Sequence, residues 1–462
     1  MLWKVLYLAV VFLLGWVLTK KVFPILIVRL GRLLGFRMRP TPITARRLAR
    51  FRTIKRGYWS FVGISTLFVI SLFLEMIVNE KPLLISYDGR IAAPAVADWA
   101  SNIPFLGISS FEKKSDFGQA GGSEVDYHLF EKVVDDPALI AKQIEAEKAK
   151  YEKSERRFRK TKEPGPDSSE RQKSHYASRK AMYEKRKGQY EALLQAKTVF
   201  DKGRAWIVPT LYSWSPESHR EDLAKNPPNP VSIQEKCYLG TTTGGRDVLV
   251  QLLYGFRISI AFALVVATTG YLIGVIVGGV QGYYGGWIDI ASQRFVEIWG
   301  SIPFLFTIMI LAAMIQPNFW MLVILLVILR SWLGITFYVR GEFYREKSKD
   351  YVQAAIASGV SDWKIIIKHI LPNSIVPVVT FAPFGVVAYI SSLVSLDYLG
   401  FGLPTGTPSW GELLRQGLEN VKFYPHLIIV PVIALAATLF AVVMIGEAVR
   451  EAFDPKVFSR LR

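Results

Sequence analysis

The sequence predicts an all-α polytopic membrane protein, on three observations. Apolar residues make up 51% of the 462. They gather in runs of bilayer-spanning length, and Lys/Arg clusters fall between those runs on alternating sides. In such a chain a formal charge of +18 points to basic cytoplasmic loops, and a nucleic-acid partner is not expected.

From the start, residues 5–19 are apolar but short of the roughly 20 needed to span comfortably. Lys20-Lys21 and a second apolar stretch, Val22 to Leu30, follow. A signal peptide would show a small-residue cleavage site after its apolar region; none follows, so an uncleaved anchor is expected. The basic run from Arg29 through Arg56 belongs in the cytoplasm, which puts the anchored N-terminus outside. Residues 1–56 thus read as anchor plus basic cytoplasmic segment, with the status of 1–30 as a seventh span left open. The next span, 57–78, carries Tyr58 and Trp59 at its interface.

From Asn79 the chain turns hydrophilic, and 79–254 reads as a large periplasmic insertion. Within it, 137–200 stands apart. Ile144, Tyr151 and Phe158 recur every seven residues on one arm, and Tyr176, Tyr183 and Tyr190 on the other, with a Pro/Gly/Ser breaker at 163–169 between them. An antiparallel helical hairpin with an aromatic seam follows, its arms packing mainly on themselves. From Glu131 to Arg204 there are 20 Lys+Arg against 13 Asp+Glu, a net of +7. Long domains translocate largely regardless of charge, so the hairpin reads as a solvated spacer or as a docking surface for another envelope component.

Five apolar spans come next, at about 255–281, 302–316, 319–339, 375–396 and 425–445. The uncharged loop Gln316-Pro-Asn318 suits the outside. Arg340, Arg345, Lys347 and Lys349 suit the inside, as do Arg450, Lys456, Arg460 and Arg462 in the closing tail, 456–462. Counted from a cytoplasmic Arg56, every span alternates consistently.

Chemistry-bearing residues are few. No Gly-x4-Gly-Lys-Ser/Thr occurs, so no P-loop is present. Cys237 is the single cysteine and reads as a small buried hydrophobe. The five histidines lack metal-ligand spacing. Arg330 lies inside a span, where a charge is costly and faces a cavity or a partner. Three readings stay open for it: a cavity-lining cation that meets a carboxylate, a partner for an acid on a neighbouring subunit, or a side chain snorkelling at a span edge.

The stretch 350–374 is mixed and charged between two long apolar runs. It reads as a short helix rich in small residues (Ala354, Ala355, Ala357), a break at Gly359, and a second helix with Ser361 at its N-cap. Trp363, Ile366, Ile367 and Ile370 give that helix an apolar side, and Pro372 is expected to stop it. A capped knob at the membrane surface with exposed apolar side chains suits docking into a groove on another protein.

Ala354-Ala355, Gly359 and Leu371-Pro372 resemble the EAA loop of ABC importer permeases, and His369 to Asn373 resembles the dipeptide/oligopeptide branch. Gln353 stands where that family often has Glu. Leu239 to Val248 is similar to the family's Leu-Gly-Thr-Asp…Gly-Arg-Asp signature, with Thr242 in place of Asp. The block 396–404 resembles peptide-importer permeases, and 56–60, 81–88, 115–118 and 446–455 resemble permeases of microcin C and oligopeptide import (YejE type).

The resemblance implies a type I ABC importer permease helix bundle: five spans over 255–455 with the EAA-like coupling loop at 350–374. It implies a transport subunit that is no enzyme and holds no cofactor. ATP and Mg would sit on two cytoplasmic ATPase domains, alongside a second permease subunit, a periplasmic substrate-binding protein and membrane lipid. ATPase coupling would fall to Gln353, Ala354, Ala355, Gly359, Ser361, Asp362, Leu371 and Pro372. Asp397, Gly400 and Gly402 would belong to the external gate, whereas the family offers no basic residue at Arg330, whose place in the passage is expected only from its charge inside a span. Asp289, Arg294 and Glu297 would enter an intersubunit salt bridge. Peptides or peptide-like compounds are the expected cargo; nickel chelates or other small solutes, and a membrane-anchored envelope scaffold, are the alternatives.

Overall fold

The computed structural model describes residues 2–22, 42–101, 113–120, 124–161, 163–165, 169–223, 225–315 and 317–454. The second apolar stretch after Val22, the basic run up to residue 41, Gln316 and the tail from residue 455 lie outside the described residues, as do 166–168 of the breaker. The chain divides into two compact units, Phe73–Ser218 and the remainder.

The larger unit begins with α1 (Leu2–Val17), which runs on through a π-helical turn, Leu18–Val22. α2 (Pro42–Thr53) and α3 (Lys55–Ser71) follow. α1 and α3 pack antiparallel: Gly15 faces Thr66 and Ile70, while the Lys20 ammonium lies over the Tyr58 and Trp59 rings. α3 ends at Ser71, short of the expected 78. The Ser71 hydroxyl donates to Phe68 O and the Arg257 guanidinium to Ser71 O, so the last carbonyls are satisfied without another turn.

The smaller unit opens with α4 (Leu74–Ile77), then β1 (Leu84–Tyr87) and β2 (Arg90–Ala92). With β3 (Ala205–Val208) these form an antiparallel sheet in the order β2-β1-β3, Ile85 pairing with Ala92 on one side and Ile207 on the other. α5 (Pro94–Ser101) and α6 (Tyr127–Asp135) flank it. The hairpin is α7 (Ala138–Arg159) and α8 (Glu170–Asp201). Ser169 and Gln172 form a capping box that starts the second arm. Tyr151 stacks on Tyr183 and Tyr190, and Phe158 on Tyr183, so the heptad aromatics do form the seam. Burial works against the Glu147 charge, yet Lys150 and Arg186 hold its carboxyl below the usual carboxylate range. The arms do not pack only on themselves. At their base Ile140, Ala196, Val199 and Phe200 join Ile85, Phe117 and Phe130 in the core of this unit. Apolar area there is better buried on a sheet than between two helices, which can cover only one stripe each.

The larger unit resumes with α9 (Val248–Tyr284), an unbroken 37-residue helix capped by the Asp247 carboxylate on Leu249 N and Val250 N. It starts well before the expected 255 because of that cap. α10 (Gly286–Gly300) and α11 (Phe304–Ile315) are bent by 69° at their junction. The expected span at 302–316 is therefore only the 12-residue α11, too short to cross alone. α12 (Phe319–Leu326), a π-helical stretch Val327–Ser331 and α13 (Leu333–Lys347) form a second pair, bent by 46°. The coupling stretch contains α14 (Asp350–Ala357), α15 (Asp362–Lys364), a π-helical segment Ile365–Ile370 and α16 (Leu371–Ser374). α17 (Val376–Tyr398), α18 (Trp410–Glu419) and α19 (His426–Phe453) complete the bundle. Among the described residues three helices, α9, α17 and α19, are long and apolar enough to cross a membrane, or five spans if each bent pair counts as one.

One stripe of small residues sets the bundle's geometry. Gly270, Gly274, Gly278 and Gly282 recur every four residues along one face of α9 and meet Ser331, Ile335, Thr336 and Arg340 in turn. The order rises on both sides, so α9 and α13 run parallel, backbone close to backbone. In lipid, where burying Leu gains little, such close approach is a main source of helix adhesion. Tyr389 OH donates to Ser331 O and Phe381 stacks on Tyr338, so numbers fall along α17 as they rise along the 331–338 stretch, which makes α17 antiparallel to that pair. Gly57 against Ala448 and the Arg56–Glu451 contact bring the start of α3 to the end of α19. Lys20, Arg56, Lys347 and Arg450 thus share one end of the bundle, as alternation of basic loops requires. Phe262, Ile308, Leu322, Ile390 and Trp410 are among the side chains that fill its core.

Candidate functional site

The coupling stretch hangs from the basic end of the bundle, and its attachment rests on polar residues. Glu346, near the end of α13, is buried at 2% exposure and accepts from Lys349 Nζ (2.6 Å) and Tyr351 OH (2.7 Å). Tyr351 OH in turn accepts from Asn373 Nδ2 at 3.0 Å, and the same amide donates to His369 O. Burial and the bond to Glu346 push the Tyr351 phenol above its ordinary pKa, so it remains a donor. Sequence reasoning missed Glu346, Tyr351 and Asn373. The signal was there, a Glu followed at i+3 and i+5 by Lys and Tyr just where a span ends, but nothing local says that Asn373 folds back onto them.

Gly359 sits at φ +74°, the left-handed region, and its N–H closes α14 on Ile356 O while Val360 N reaches Ala355 O. Gln353 Nε2 donates to Lys347 O at 2.8 Å, holding α14 to the end of α13. Ala355 is buried against the α9–α13 end, whereas Ala354 is exposed. Ser361 occupies the N-cap with extended backbone, yet its side chain makes no capping bond. Asp362 instead accepts from Tyr283 OH at 2.6 Å, tying the second coupling helix to the last turn of α9.

Two expectations about that second helix need correction. Ile365 and Ile370 are its fully buried residues, Ile366 is partly buried, and Trp363 and Ile367 face outward, Trp363 at 71% exposure. Widening to π geometry between 365 and 370 rotates the register away from the simple 3.6-residue period. Pro372 does not stop the helix; it stands in the first turn of α16, where the missing N–H has no partner to lose, and Leu371 packs on the bundle. The outcome is a rigidly anchored knob that still presents Tyr351, Ile356, Trp363 and Ile367 outward.

At the opposite end a second network ties three loops together. Asp397, 6% exposed, accepts from Leu403 N at 2.7 Å and from Ser409 Oγ, whose hydroxyl also caps α18. A Cβ at Gly402 would lie 1.7 Å from Asp397 Oδ1, so only glycine fits. Gly400, at φ +80°, turns the chain out of α17. Both carboxylate oxygens of Asp397 are thus engaged in holding the 399–409 loop. Arg246 donates to Gly406 O at 2.8 Å and Thr243 to Gln416 Oε1, joining the glycine-rich 239–248 segment to the same loop and to α18. Thr242 supplies the turn itself, its hydroxyl accepting from Arg246 N. Beneath it Arg220 and Asp247, each 1% exposed, pair at 2.9 Å. Burial pushes the neighbouring Cys237 thiol up to about 11.

Between these ends lies a cavity of about 800 Å³, walled by α10–α11, the π-helical 327–331 segment, α13, α17 and Tyr271 of α9. Arg330 and Glu297 are its charged lining residues. Arg330 lies over the Phe304 ring at 5.2 Å. Asp289, Arg294 and Glu297 pair within this chain: Asp289 with Arg340 Nη2 (2.7 Å) and with Tyr344, Glu297 with Arg294 (2.7 Å). The Asp289 pair thus links α10 to α13 within the chain. Among the described residues no group of His, Cys, Asp and Glu is arranged to hold a metal ion.

Residues 270–459 match the family described as "Binding-protein-dependent transport system inner membrane component". The chain is 36% identical to the inner membrane ABC transporter permease protein YejE of Escherichia coli K12, over 90% of this chain and 98% of that one. It is 34% identical to the peptidoglycan transport system permease protein YejE of Agrobacterium fabrum, over 90% and 94%. The oligopeptide transport system permease protein OppC of Haemophilus influenzae is 37% identical over 47% of this chain and 70% of its own. With the helical bundle and the extent of those matches, the chain belongs to the family of multi-pass inner membrane permeases of binding-protein-dependent ABC transport systems.

Proposed function

We propose that this chain is one of two unlike transmembrane subunits of an importer that moves peptides or peptide-like compounds, peptidoglycan fragments among them, into the cytoplasm. The observation that carries the reading is the coupling knob: bolted to α9 and α13 through Tyr283–Asp362 and Glu346–Tyr351, yet exposing Trp363 and Ile367. A surface so fixed to the bundle and so apolar on its free side transmits movement from a partner docked there. The partners are a second permease, two cytoplasmic ATPase domains that bind ATP and Mg, and a substrate-binding protein on the opposite face. No cofactor and no hydrolytic step belong to this chain.

The basic end is cytoplasmic by the positive-inside rule, which puts the Asp397–Arg246 network at the periplasmic mouth and 73–218 in the periplasm. Gln353, Ala354, Ala355, Gly359, Ser361, Asp362, Leu371 and Pro372 build the coupling knob, and Arg330 lines the passage. Asp397, Gly400 and Gly402 shape the outer gate loop rather than contact cargo. Support for peptides as cargo comes from the names of the relatives. The test is reconstitution of the whole complex in proteoliposomes with radiolabelled tripeptides and muropeptides. ATP-dependent accumulation is expected; accumulation of neither class, with the ATPase active, refutes the cargo assignment.

A further inference from the structure

We propose that Arg330 and the cavity it lines form a carboxylate-binding station that reads the C-terminal end of the cargo during passage, an inference that rests on the peptide-permease reading above. The cavity of about 800 Å³ is of a size for a short peptide and is mainly apolar and aromatic in its walls (Phe304, Tyr338, Phe381, Phe384). Its two charges are not equivalent. The Glu297 carboxylate is already held by Arg294 Nη1 at 2.7 Å and Gln293 Nε2 at 3.2 Å. Arg330 has no carboxylate within ion-pair distance among the described residues, and its guanidinium rests over the face of Phe304. The cavity therefore offers one uncompensated cation.

The backbone beneath Arg330 is built to hold that cation still. A π-helical segment frees carbonyls from the regular ladder, and each freed group would be costly in an apolar medium. Here they are taken up. Ile328 O accepts from both Trp299 Nε1 (3.0 Å) and Trp332 Nε1 (2.9 Å), and Ser331 O accepts from Tyr389 OH (3.0 Å). Three aromatic donors from α10, the 332 turn and α17 thus fix the segment that carries Arg330. A guanidinium resting on an aromatic face keeps its N–H edge for other partners, and that edge matches a carboxylate with two parallel hydrogen bonds. An ammonium in its place would keep the charge and lose the fork. A peptide's terminal carboxylate is the group with this shape that every unmodified peptide carries, whatever its side chains. Reading it gives a passage that tolerates many sequences while favouring free-acid termini.

The test uses the intact reconstituted complex at saturating binding protein, with the tripeptide Ala-Ala-Ala and its C-terminal amide as probes. Wild type is expected to move the free acid about tenfold faster than the amide, the scale of one charge-assisted hydrogen bond. Arg330→Gln should slow the free acid far more than the amide, so that the ratio of acid to amide falls from about ten to about one, and Arg330→Lys should give a ratio between. A ratio of acid to amide that the substitution leaves unaltered overturns the proposal. So does an equal fall for both probes, which marks Arg330 as structural. Where Arg330→Gln lowers the yield of assembled complex, the Arg330→Lys ratio decides on the same terms. Transport of neither probe by wild type removes the peptide reading and this inference with it, whereas transport of both with an unchanged ratio removes only this inference.

Discussion

Tyr283 OH donates to Asp362 Oδ1 across 2.6 Å, joining the last turn of the longest helix to the first turn of the second coupling helix. α9 also carries the glycine stripe against α13, so this bond lies where a displacement of the knob reaches the bundle core. Tyr283→Phe keeps the ring against Lys347 and removes one hydrogen bond to a charged acceptor, worth about 1.5–3 kcal/mol. Normal membrane levels are expected, with substrate-stimulated ATP hydrolysis of the complex reduced several-fold. Full stimulation in purified complex would show that the bond is ornamental to coupling.

The glycine stripe predicts its own sensitivity. A Cβ at Gly274 would stand 2.0 Å from Ile335 Cγ2 and 2.8 Å from Trp332 O, and the second of these is backbone that cannot step aside. Gly274→Val should push α9 and α13 apart, costing at least the ~1–3 kcal/mol of an overpacked core. The check is thermal unfolding of the detergent-solubilised protein, with Gly334→Val as control, since a Cβ at Gly334 meets nothing within 4 Å. Equal melting temperatures for the two variants would contradict the packing argument.

Much of this architecture was legible in the sequence, and the reasons differ by element. α17, and the start of α19, came within two residues because long apolar runs leave little choice, but α19 runs on to Phe453, past the apolar run that ended the expected span at 445. The hairpin seam was legible because a seven-residue aromatic repeat has one geometric solution. The spans at 302–316 and 319–339 misled, since hydropathy is blind to bends; the break at 327–331 depends on Trp299 and Tyr389 arriving from elsewhere, with Trp332 beside it, to satisfy the backbone. The coupling stretch was placed by its small residues and Gly359, but its anchors, Glu346 and Tyr283, lie outside it and are found only by folding. Pro372 was read as a stop because local rules see a missing donor, not a helix start.

Gly359 separates conformation from contact. Its φ is +74° and a Cβ there would meet nothing within 4 Å, so space does not restrict it and backbone handedness does. Gly359→Asn, which tolerates that region, should retain coupling, while Gly359→Val should lose it at a cost of about 1–2 kcal/mol of strain. Both variants should insert at wild-type levels. Substrate-stimulated ATPase activity is the readout, and equal activity of the two would remove the hinge assignment.

Cysteine labelling tests sidedness without a cysteine-free background. Cys237 is fully buried and its thiol is pushed up to about 11, so at pH 7 it is neutral, inaccessible and unreactive to maleimide. In spheroplasts an impermeant maleimide should label Ser169→Cys and spare both Ser348→Cys and the native chain. Labelling of Ser348→Cys with Ser169→Cys silent would invert the orientation.

The hairpin can be shortened, but only beyond a definable point. Closing the chain from residue 136 to 201 would strip Ile140, Ala196, Val199 and Phe200 from the core they share with Ile85, Phe117 and Phe130. Ile140 and Phe200 alone, at about 2–5 kcal/mol each, would remove much or all of the ~5–15 kcal/mol that holds a small unit folded. A cut farther out is different. Glu147 faces Arg186 and Tyr151 faces Tyr183, so residues 154 and 180 lie opposite each other across the seam. Replacing 155–179 by a short Gly/Ser turn keeps those pairs, and shortening the connection changes closure entropy by only a few tenths of a kcal/mol. It removes eight Lys/Arg and four Asp/Glu, a net charge of +4. The shortened protein should reach the membrane at wild-type levels, whereas the 136–201 closure should not, as quantitative immunoblotting of membranes would show. If the arm is a spacer, uptake by the shortened protein stays within about twofold of wild type. Lost uptake at unchanged protein level and unchanged ATPase activity, reproduced by reversing Arg156, Arg157, Arg159 and Lys160 to Glu in the full-length arm, would make the basic end a docking surface instead.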